Sequence, residues 1–150
     1  PGSFTGIRLG LAFAKGLSMG LNLPLRGIDS FTATYLSLDS QDDVLILIAS
    51  RRQDVFGQWF RKGKPEKANC LTLQDLEKIL LISPSPLFAG SGVSLFLQGL
   101  TFKEAPVLWR GAQQLAHAFF KNPDLLSDPL PYYVRDADVT YAQKSCPSRP

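Results

Sequence analysis

The stretch VLILIASRRQDVFGQWF, residues 44–60, decides the fold class of this chain. Its first six residues form a continuous apolar run, which is the pattern of a strand buried on both faces. Residues 51–53 predict a turn and residues 55–60 a second strand, so the stretch indicates a β-hairpin. A sheet covered on both faces needs helices on either side, and this favours an α/β protein.

The sequence after the hairpin alternates between helical and extended patterns. LTLQDLEKILL, residues 71–81, predicts a helix in which Thr72 and Asp75 have the spacing of a capping box. PLFAGSGV, residues 86–93, predicts a strand that runs into a glycine turn, and residues 106–122 predict a second amphipathic helix. This order indicates a mixed sheet.

Before the hairpin, the pattern predicts a long helix over residues 4–21 and a short second helix capped by Asp29 or Ser30. The first helix is apolar nearly all round, which is typical of a buried helix. It also carries four glycines, although each interior glycine lowers helix propensity by about 1 kcal/mol relative to alanine. Two rows of small residues at four-residue spacing would let another backbone approach closely; they are Gly6, Gly10 and Ala14, and Ala12, Gly16 and Gly20.

Composition and charge exclude several classes of protein. Arg8 and Lys15 interrupt the apolar stretch, which argues against a membrane span, and a signal sequence has its charges before the apolar run. The two cysteines form no disulfide framework and no metal-binding spacing, so we expect a reduced, cytoplasmic setting. The single histidine, His117, lies in a predicted helix without a second histidine at ligand spacing.

Two features leave alternatives open. The GSG run at residues 90–92 is either a structural turn or a turn that contacts a phosphate. A basic cluster near the hairpin is either a solvated sheet edge or a nucleic-acid contact; it comprises Arg51, Arg52, Arg61, Lys62, Lys64 and Lys67. Because no catalytic set is complete, the residues favour a binding or scaffold subunit over an enzyme.

Several stretches, in the same order along the chain, resemble the bacterial TsaB (YeaZ) family. PGSFTGIRLGLAFAKGL at residues 1–17 and PYYVRDADVT at residues 131–140 are the most specific. LPLRGIDSFTA, ASRRQDVFGQWF and FAGSG continue the resemblance between them, although SRRQ lacks the aspartate and glycine usual in the family. Family members also begin with further strands and a helix before this stretch.

The resemblance implies an actin/Hsp70/sugar-kinase-like (ASKHA) fold with two lobes. We expect an incomplete first lobe over residues 1–36, a linker over residues 37–43 and a complete second α/β lobe with a mixed sheet over residues 44–150. Without its usual backing, the first helix should be exposed or covered by another chain.

The resemblance also implies a function. The family provides a non-catalytic scaffold or dimerisation subunit, without a cofactor, for synthesis of N6-threonylcarbamoyladenosine on tRNA in the cytoplasm. Expected partners are a TsaD-like catalytic subunit and a TsaE-like ATPase, with a homodimer possible and tRNA reached indirectly. The alternative is an ATP-binding or peptidase-like enzyme acting on its own. The expected partner-binding residues are Phe4, Ile7, Arg8, Gly10, Leu11, Ala14, Lys15 and Ser18, and the possible tRNA contacts are Arg51, Arg52 and Lys64.

Overall fold

The computed structural model describes residues 4–38, 42–50, 54–82, 86–107 and 112–135. The chain begins with two helices, α1 (Phe4–Leu21) and α2 (Ser30–Tyr35). The strands and helices that follow, in chain order, are β1 (Val44–Ala49), β2 (Val55–Arg61), β3 (Lys64–Pro65), β4 (Asn69–Leu71), α3 (Leu73–Ile82), β5 (Leu87–Ala89), α4 (Val93–Phe96), β6 (Lys103–Glu104) and α5 (Ala112–Lys121). A short 3₁₀ turn, Pro123–Leu125, precedes the C-terminal segment.

The described strands form one mixed sheet in the order β3-β2-β1-β5-β6, with β4 also paired to β2. Strands β1 and β2 are antiparallel, with Val44 opposite Phe60 and Ala49 opposite Val55. Strands β1 and β5 are parallel, and β5 and β6 are parallel as well. The predicted hairpin and mixed sheet are therefore confirmed, while the predicted turn residues 51–53 lie outside the described residues.

Alternate residues of β1 enter two separate cores, as expected of a strand covered on both faces. On one face, Val44 and Ile46 pack with Phe60 of β2 and with Phe31 and Tyr35 of α2. The rings of Tyr35 and Phe60 stack with centroids 4.3 Å apart and planes 7° from parallel. We name this cluster the first core.

The other face of β1 forms the second core. Leu45 and Leu47 pack there with Leu76 of α3 and with Phe88 of β5 and Val93 of α4. Burying a side chain of this size stabilises a fold by roughly 1.5–3 kcal/mol. The two cores thus fix α2 on one face of the sheet and α3 and α4 on the other.

Two helix starts follow the sequence prediction in detail. Asp29 caps α2, because its Oδ1 accepts hydrogen bonds from the Phe31 and Thr32 amides at 2.8 and 3.0 Å. At α3, Asp75 Oδ2 accepts from the Thr72 amide at 2.9 Å, and the Asp75 amide donates to Thr72 Oγ1 at 3.3 Å. The Thr72–Asp75 pair is thus the reciprocal capping box that the spacing predicts.

The first helix differs from the expectation of a buried helix, because none of its residues is buried. Helix α2, in contrast, belongs to the first core, although the sequence assigns residues 1–36 to a first-lobe remnant. Residues 39–41 of the predicted linker lie outside the described part of the chain. The division into residues 1–36, 37–43 and 44–150 stays a prediction.

Candidate protein-docking site

One narrow side of helix α1 is less exposed than the rest of the helix. Four residues at helical spacing are half-buried there, and they define its inner side: Ile7, Leu11, Ala14 and Ser18. The helix ends where Asn22 adopts a left-handed backbone conformation, with φ of 51°. The Leu23 amide then donates to the Ser18 carbonyl at 3.0 Å, and Ser18 Oγ donates to the Leu23 carbonyl at 2.5 Å. The first of these bonds satisfies the Ser18 carbonyl in the last turn of α1.

The opposite side of α1 is apolar and exposed. Leu9, Phe13 and Leu17 form a row at four-residue spacing, with 70%, 68% and 49% of their surfaces exposed. Ala12, Gly16 and Gly20 form the adjacent row of small residues, and all three are exposed. Apart from the neighbouring helix backbone, no atom of the described residues would lie within 4 Å of a β-carbon at Gly16 or Gly20. The two rows together make a ridge beside a groove, which we name the outer face of α1.

The eight residues predicted to bind a partner are divided between these two sides. Four of them are the half-buried residues of the inner side. The other four are exposed: Phe4, Arg8, Gly10 and Lys15. No observation on this chain tests their contact with a partner, so this assignment stays a prediction. Leu9, Phe13 and Leu17 are apolar residues at four-residue spacing in the sequence, but only the structure distinguishes the exposed side of α1 from the half-buried one.

Arg8 has a partner within the chain that the sequence did not indicate. Its Nε donates a hydrogen bond to the hydroxyl of Tyr133 at 3.0 Å. Its guanidinium lies 3.8 Å from the centroid of the Phe4 ring, which stacks on the Tyr133 ring at 5.5 Å. Residues 125 positions apart carry no periodic signal, so only the fold could reveal this contact.

The basic cluster is partly neutralised. Arg61 Nε lies 2.9 Å from Glu66 Oε1, and the Arg61 guanidinium stacks over Trp59 at 4.4 Å. Lys64, one of the three residues of the possible tRNA contact, lies exposed in β3. Arg51 and Arg52, the other two, lie outside the described residues. Their role and that of Lys64 stay predictions.

The GSG turn is held tightly against β1. The Gly92 amide donates to the Leu47 carbonyl at 2.9 Å, and the Ala49 amide donates to Ser91 Oγ at 3.3 Å. Gly90 has a φ of 107°, which L side chains rarely adopt, and a β-carbon there would overlap the Leu47 carbonyl oxygen. A β-carbon at Gly92 would meet a Val55 methyl group at 2.5 Å. Close packing against β1 thus accounts for both glycines.

Among the described residues, no three His, Cys, Asp or Glu side chains are grouped so that they could hold a metal ion. No helix in the described ranges has the length and apolar character that crossing a membrane requires.

Comparison with known proteins identifies relatives of this chain. The family model described as "TsaD: tRNA N6-adenosine threonylcarbamoyltransferase" matches residues 1–72. The chain is 27% identical to the tRNA threonylcarbamoyladenosine biosynthesis protein TsaB of Buchnera aphidicola, over 91% of this chain and 70% of that protein. It is 37% identical to the protein of the same name from Haemophilus influenzae, over 37% of this chain and 25% of that protein.

Solved structures agree on the fold. YeaZ from Pseudomonas aeruginosa superposes with a TM-score of 0.61 at 19% identity, over 89% of this chain and 71% of that one. A Pseudomonas aeruginosa protein described as similar to peptidase YEAZ gives a TM-score of 0.62 at 19% identity, over 90% and 70%. The predicted ASKHA-like α/β fold with a mixed sheet is confirmed. The curated TsaB relatives, the YeaZ structures and the order of the motifs together support the resemblance of this chain to the TsaB/YeaZ family.

Proposed function

We propose that this chain is a non-catalytic docking subunit in the synthesis of N6-threonylcarbamoyladenosine on tRNA. In this proposal it binds and activates a TsaD-like catalytic subunit through the outer face of α1. The observation that carries the proposal is that face, where Leu9, Phe13 and Leu17 stand exposed beside a row of small residues. Its relatives named for tRNA threonylcarbamoyladenosine biosynthesis support the pathway.

The shape of the outer face suits a second helix. The row of Leu9, Phe13 and Leu17 is a ridge, and the row of Ala12, Gly16 and Gly20 is the groove beside it. When rows at four-residue spacing interlock between two helices, the axes cross at about −50° and approach to about 8–10 Å. Among the described residues, none packs where a β-carbon of Gly16 or Gly20 would lie, so none of them offsets the low helix propensity of these glycines there. A partner backbone in the groove would offset it.

Charge favours a different subunit over a second copy of this chain. Helix α1 contains Arg8 and Lys15 but no acidic residue. Pairing α1 with itself would bring only cations together, whereas a helix with carboxylates along its edge would complement them. The family model matched by residues 1–72 belongs to TsaD, so a TsaD-like subunit would present a related helix in a nearly two-fold arrangement.

The packing of the GSG turn supports a role without nucleotide chemistry. The Gly92 amide, a group that could face a phosphate, donates to the Leu47 carbonyl instead. The competing proposal, an ATP-binding or peptidase-like enzyme acting alone, predicts heat of binding when MgATP or zinc is titrated into the isolated chain. The docking proposal expects no such heat. It also implies a TsaE-like ATPase in the same complex, tRNA bound mainly through other subunits, and a cytoplasmic location.

The docking proposal is tested by size-exclusion chromatography and calorimetry with the TsaD-like subunit of the same organism. Phe13→Glu should abolish the complex, because it places a charge in the centre of the outer face. Leu81→Glu is the matched control, since Leu81 is 85% exposed on α3, far along the chain from α1. Complex formation by the Phe13→Glu variant at wild-type affinity would refute docking at this face.

Gly16→Ala separates docking from helix stability. Alanine should make α1 more helical by about 1 kcal/mol, while its methyl group makes the groove shallower. We expect weaker binding from a more stable helix. Equal or tighter binding would show that the groove does not receive a backbone. A homodimer that persists in wild type and disappears in Phe13→Glu would assign the outer face to a second copy instead.

A further inference from the structure

The C-terminal residues 127–135, which we name the strap, cross from the α1–α2 connection to the sheet. Ser127 and Gly27 exchange two backbone hydrogen bonds, of 2.8 and 2.9 Å. Further along, the Tyr132 ring meets the Phe31 ring of α2 edge-on, with centroids 6.5 Å apart. The next residue, Tyr133, contacts α1 through Arg8 and Phe4. One short segment therefore touches both N-terminal helices.

The strap is anchored firmly where it leaves the helices. Val134 packs against the first core, and Arg135 forms an ion pair with Asp54 at the start of β2. Both of these charged side chains are mostly buried, and the Arg135 guanidinium also lies 5.8 Å from the centroid of the Phe56 ring. Desolvated pairs of this kind resist breaking more than exposed ones do. Val134 and Arg135, the two residues that follow Tyr133, are thus fixed to the sheet.

Helix α1, in contrast, has little of its own to fix it. None of its residues is buried, and its inner side is only half covered. For a helix held this weakly, orientations with different tilts relative to the sheet differ little in free energy. The contacts of Tyr133 lie at the first two turns of α1, the end opposite its connection to α2.

From this arrangement we propose that Tyr133 and Arg8 are positioning residues, which hold α1 at the tilt in which its outer face is ready to receive a partner. This inference rests on the proposed docking function and adds to it a device within the chain that prepares the surface. Ordering a helix during association costs conformational entropy. If α1 is ordered before binding, this cost is avoided and affinity rises without any direct contact between the strap and the partner. In this proposal Arg8 affects partner binding in two ways: its hydrogen bond to Tyr133 orients α1, and its positive charge attracts acidic groups of the partner.

Tyr132 provides an adjacent control for this inference. The two tyrosines are 44% and 42% exposed, and both rings contact an aromatic ring of an N-terminal helix. Tyr133→Phe removes the hydroxyl that accepts from Arg8, whereas Tyr132→Phe removes a hydroxyl that takes part in no contact described above. Each variant removes one hydroxyl and keeps its ring, and only Tyr133→Phe removes a hydrogen bond to α1.

Hydrogen exchange of the free chain is the first measurement. In Tyr133→Phe we expect the α1 amides to exchange about threefold faster or more, with the β1 and β2 amides unchanged. Tyr132→Phe should match wild type. Combining Tyr133→Phe with Arg8→Gln should add little to the Arg8→Gln effect, because both remove the same bond. Equal exchange in all variants would overturn the positioning role.

The second measurement is binding to the TsaD-like subunit. We expect Tyr133→Phe to weaken binding about threefold to tenfold, chiefly through slower association, while Tyr132→Phe binds as wild type does. Faster exchange with unchanged affinity would show that the tilt of α1 does not control docking. If wild type itself fails to bind, the proposed docking function fails, while the exchange measurement still decides whether the strap fixes α1.

Discussion

The β-carbon that a side chain would place at Gly90 overlaps the carbonyl oxygen of Leu47, so the turn after β5 touches the central strand through its backbone. The turn therefore lies directly against Leu47, a residue of the second core. This close contact also explains why a glycine stands there, since the left-handed backbone of Gly90 strains any other residue.

Gly90→Ala should therefore destabilise the protein by more than about 2 kcal/mol, from the overlap and the backbone strain together. Gly10→Ala is the matched control, because Gly10 lies within α1 and a β-carbon there would meet no described residue outside the helix backbone within 4 Å. It should leave stability unchanged or raise it by up to about 1 kcal/mol. Urea unfolding followed by circular dichroism measures both changes. Equal stabilities for the two variants would contradict the tight packing of the turn.

Asp29 should contribute measurably to α2. Its carboxylate accepts from two backbone amides and from the Thr32 hydroxyl at 2.6 Å, so Asp29→Ala leaves these donors without their acceptor. We expect a loss of about 1–2 kcal/mol in the free energy of unfolding. The neighbouring Ser30→Ala changes an exposed side chain and should have a much smaller effect. A loss no larger for Asp29→Ala than for Ser30→Ala would argue against the cap.

The capping box of α3 predicts a pH dependence. Hydrogen bonds from the Thr72 backbone and side chain lower the pKa of Asp75 below its ordinary value, with a smaller contribution from Lys78. Since the folded-state pKa is the lower one, the stabilisation is complete above the unfolded pKa and disappears as pH falls through the folded pKa. We expect the Asp75→Asn variant to lose less stability than the wild type as the pH falls below about 4. Thermal melts between pH 2 and pH 7 would reveal the difference, and identical profiles for the two proteins would contradict it.

The sequence predicted the helices and strands better than it predicted which side of a helix is covered. The bounds of α1, the β1–β2 hairpin and the Thr72–Asp75 box depend on neighbouring residues, which a single sequence displays directly. Which side of α1 is half-buried depends on what lies beside the helix. The sequence does not reveal that side, because the half-buried row and the exposed row both contain apolar residues. The partner of Arg8 depends on a segment 125 residues away. Interactions between distant segments leave no spacing pattern, so Tyr133 could not be assigned in advance.

Nucleic-acid contact at the hairpin can be tested on the residue of the proposed set that the structure describes. Lys64 lies exposed in β3, and Arg61 beside it in the ladder is already paired with Glu66. If this edge binds tRNA, Lys64→Glu should weaken binding and make its dependence on salt less steep. Lys103→Glu, an exposed lysine at the opposite edge of the sheet, is the control. Filter binding across a salt series that shows the same slope for both variants and wild type would remove this edge as a contact.

The distribution of stability between α1 and α2 gives the last prediction. Phe31 and Tyr35 of α2 belong to the first core, whereas α1 contributes no buried residue. Phe31→Ala should therefore destabilise the chain by about 3–5 kcal/mol, because it leaves a cavity against β1 and β2. Removal of residues 1–22 should cost less than that single substitution, since it takes away only the half-covered inner side of α1 and its contact with Tyr133. Urea unfolding followed by the fluorescence of Trp59 in β2 compares the two directly. A shortened chain that loses more stability than Phe31→Ala would mean that α1 is an integral part of the fold, and its outer face would then need another explanation than readiness for a partner.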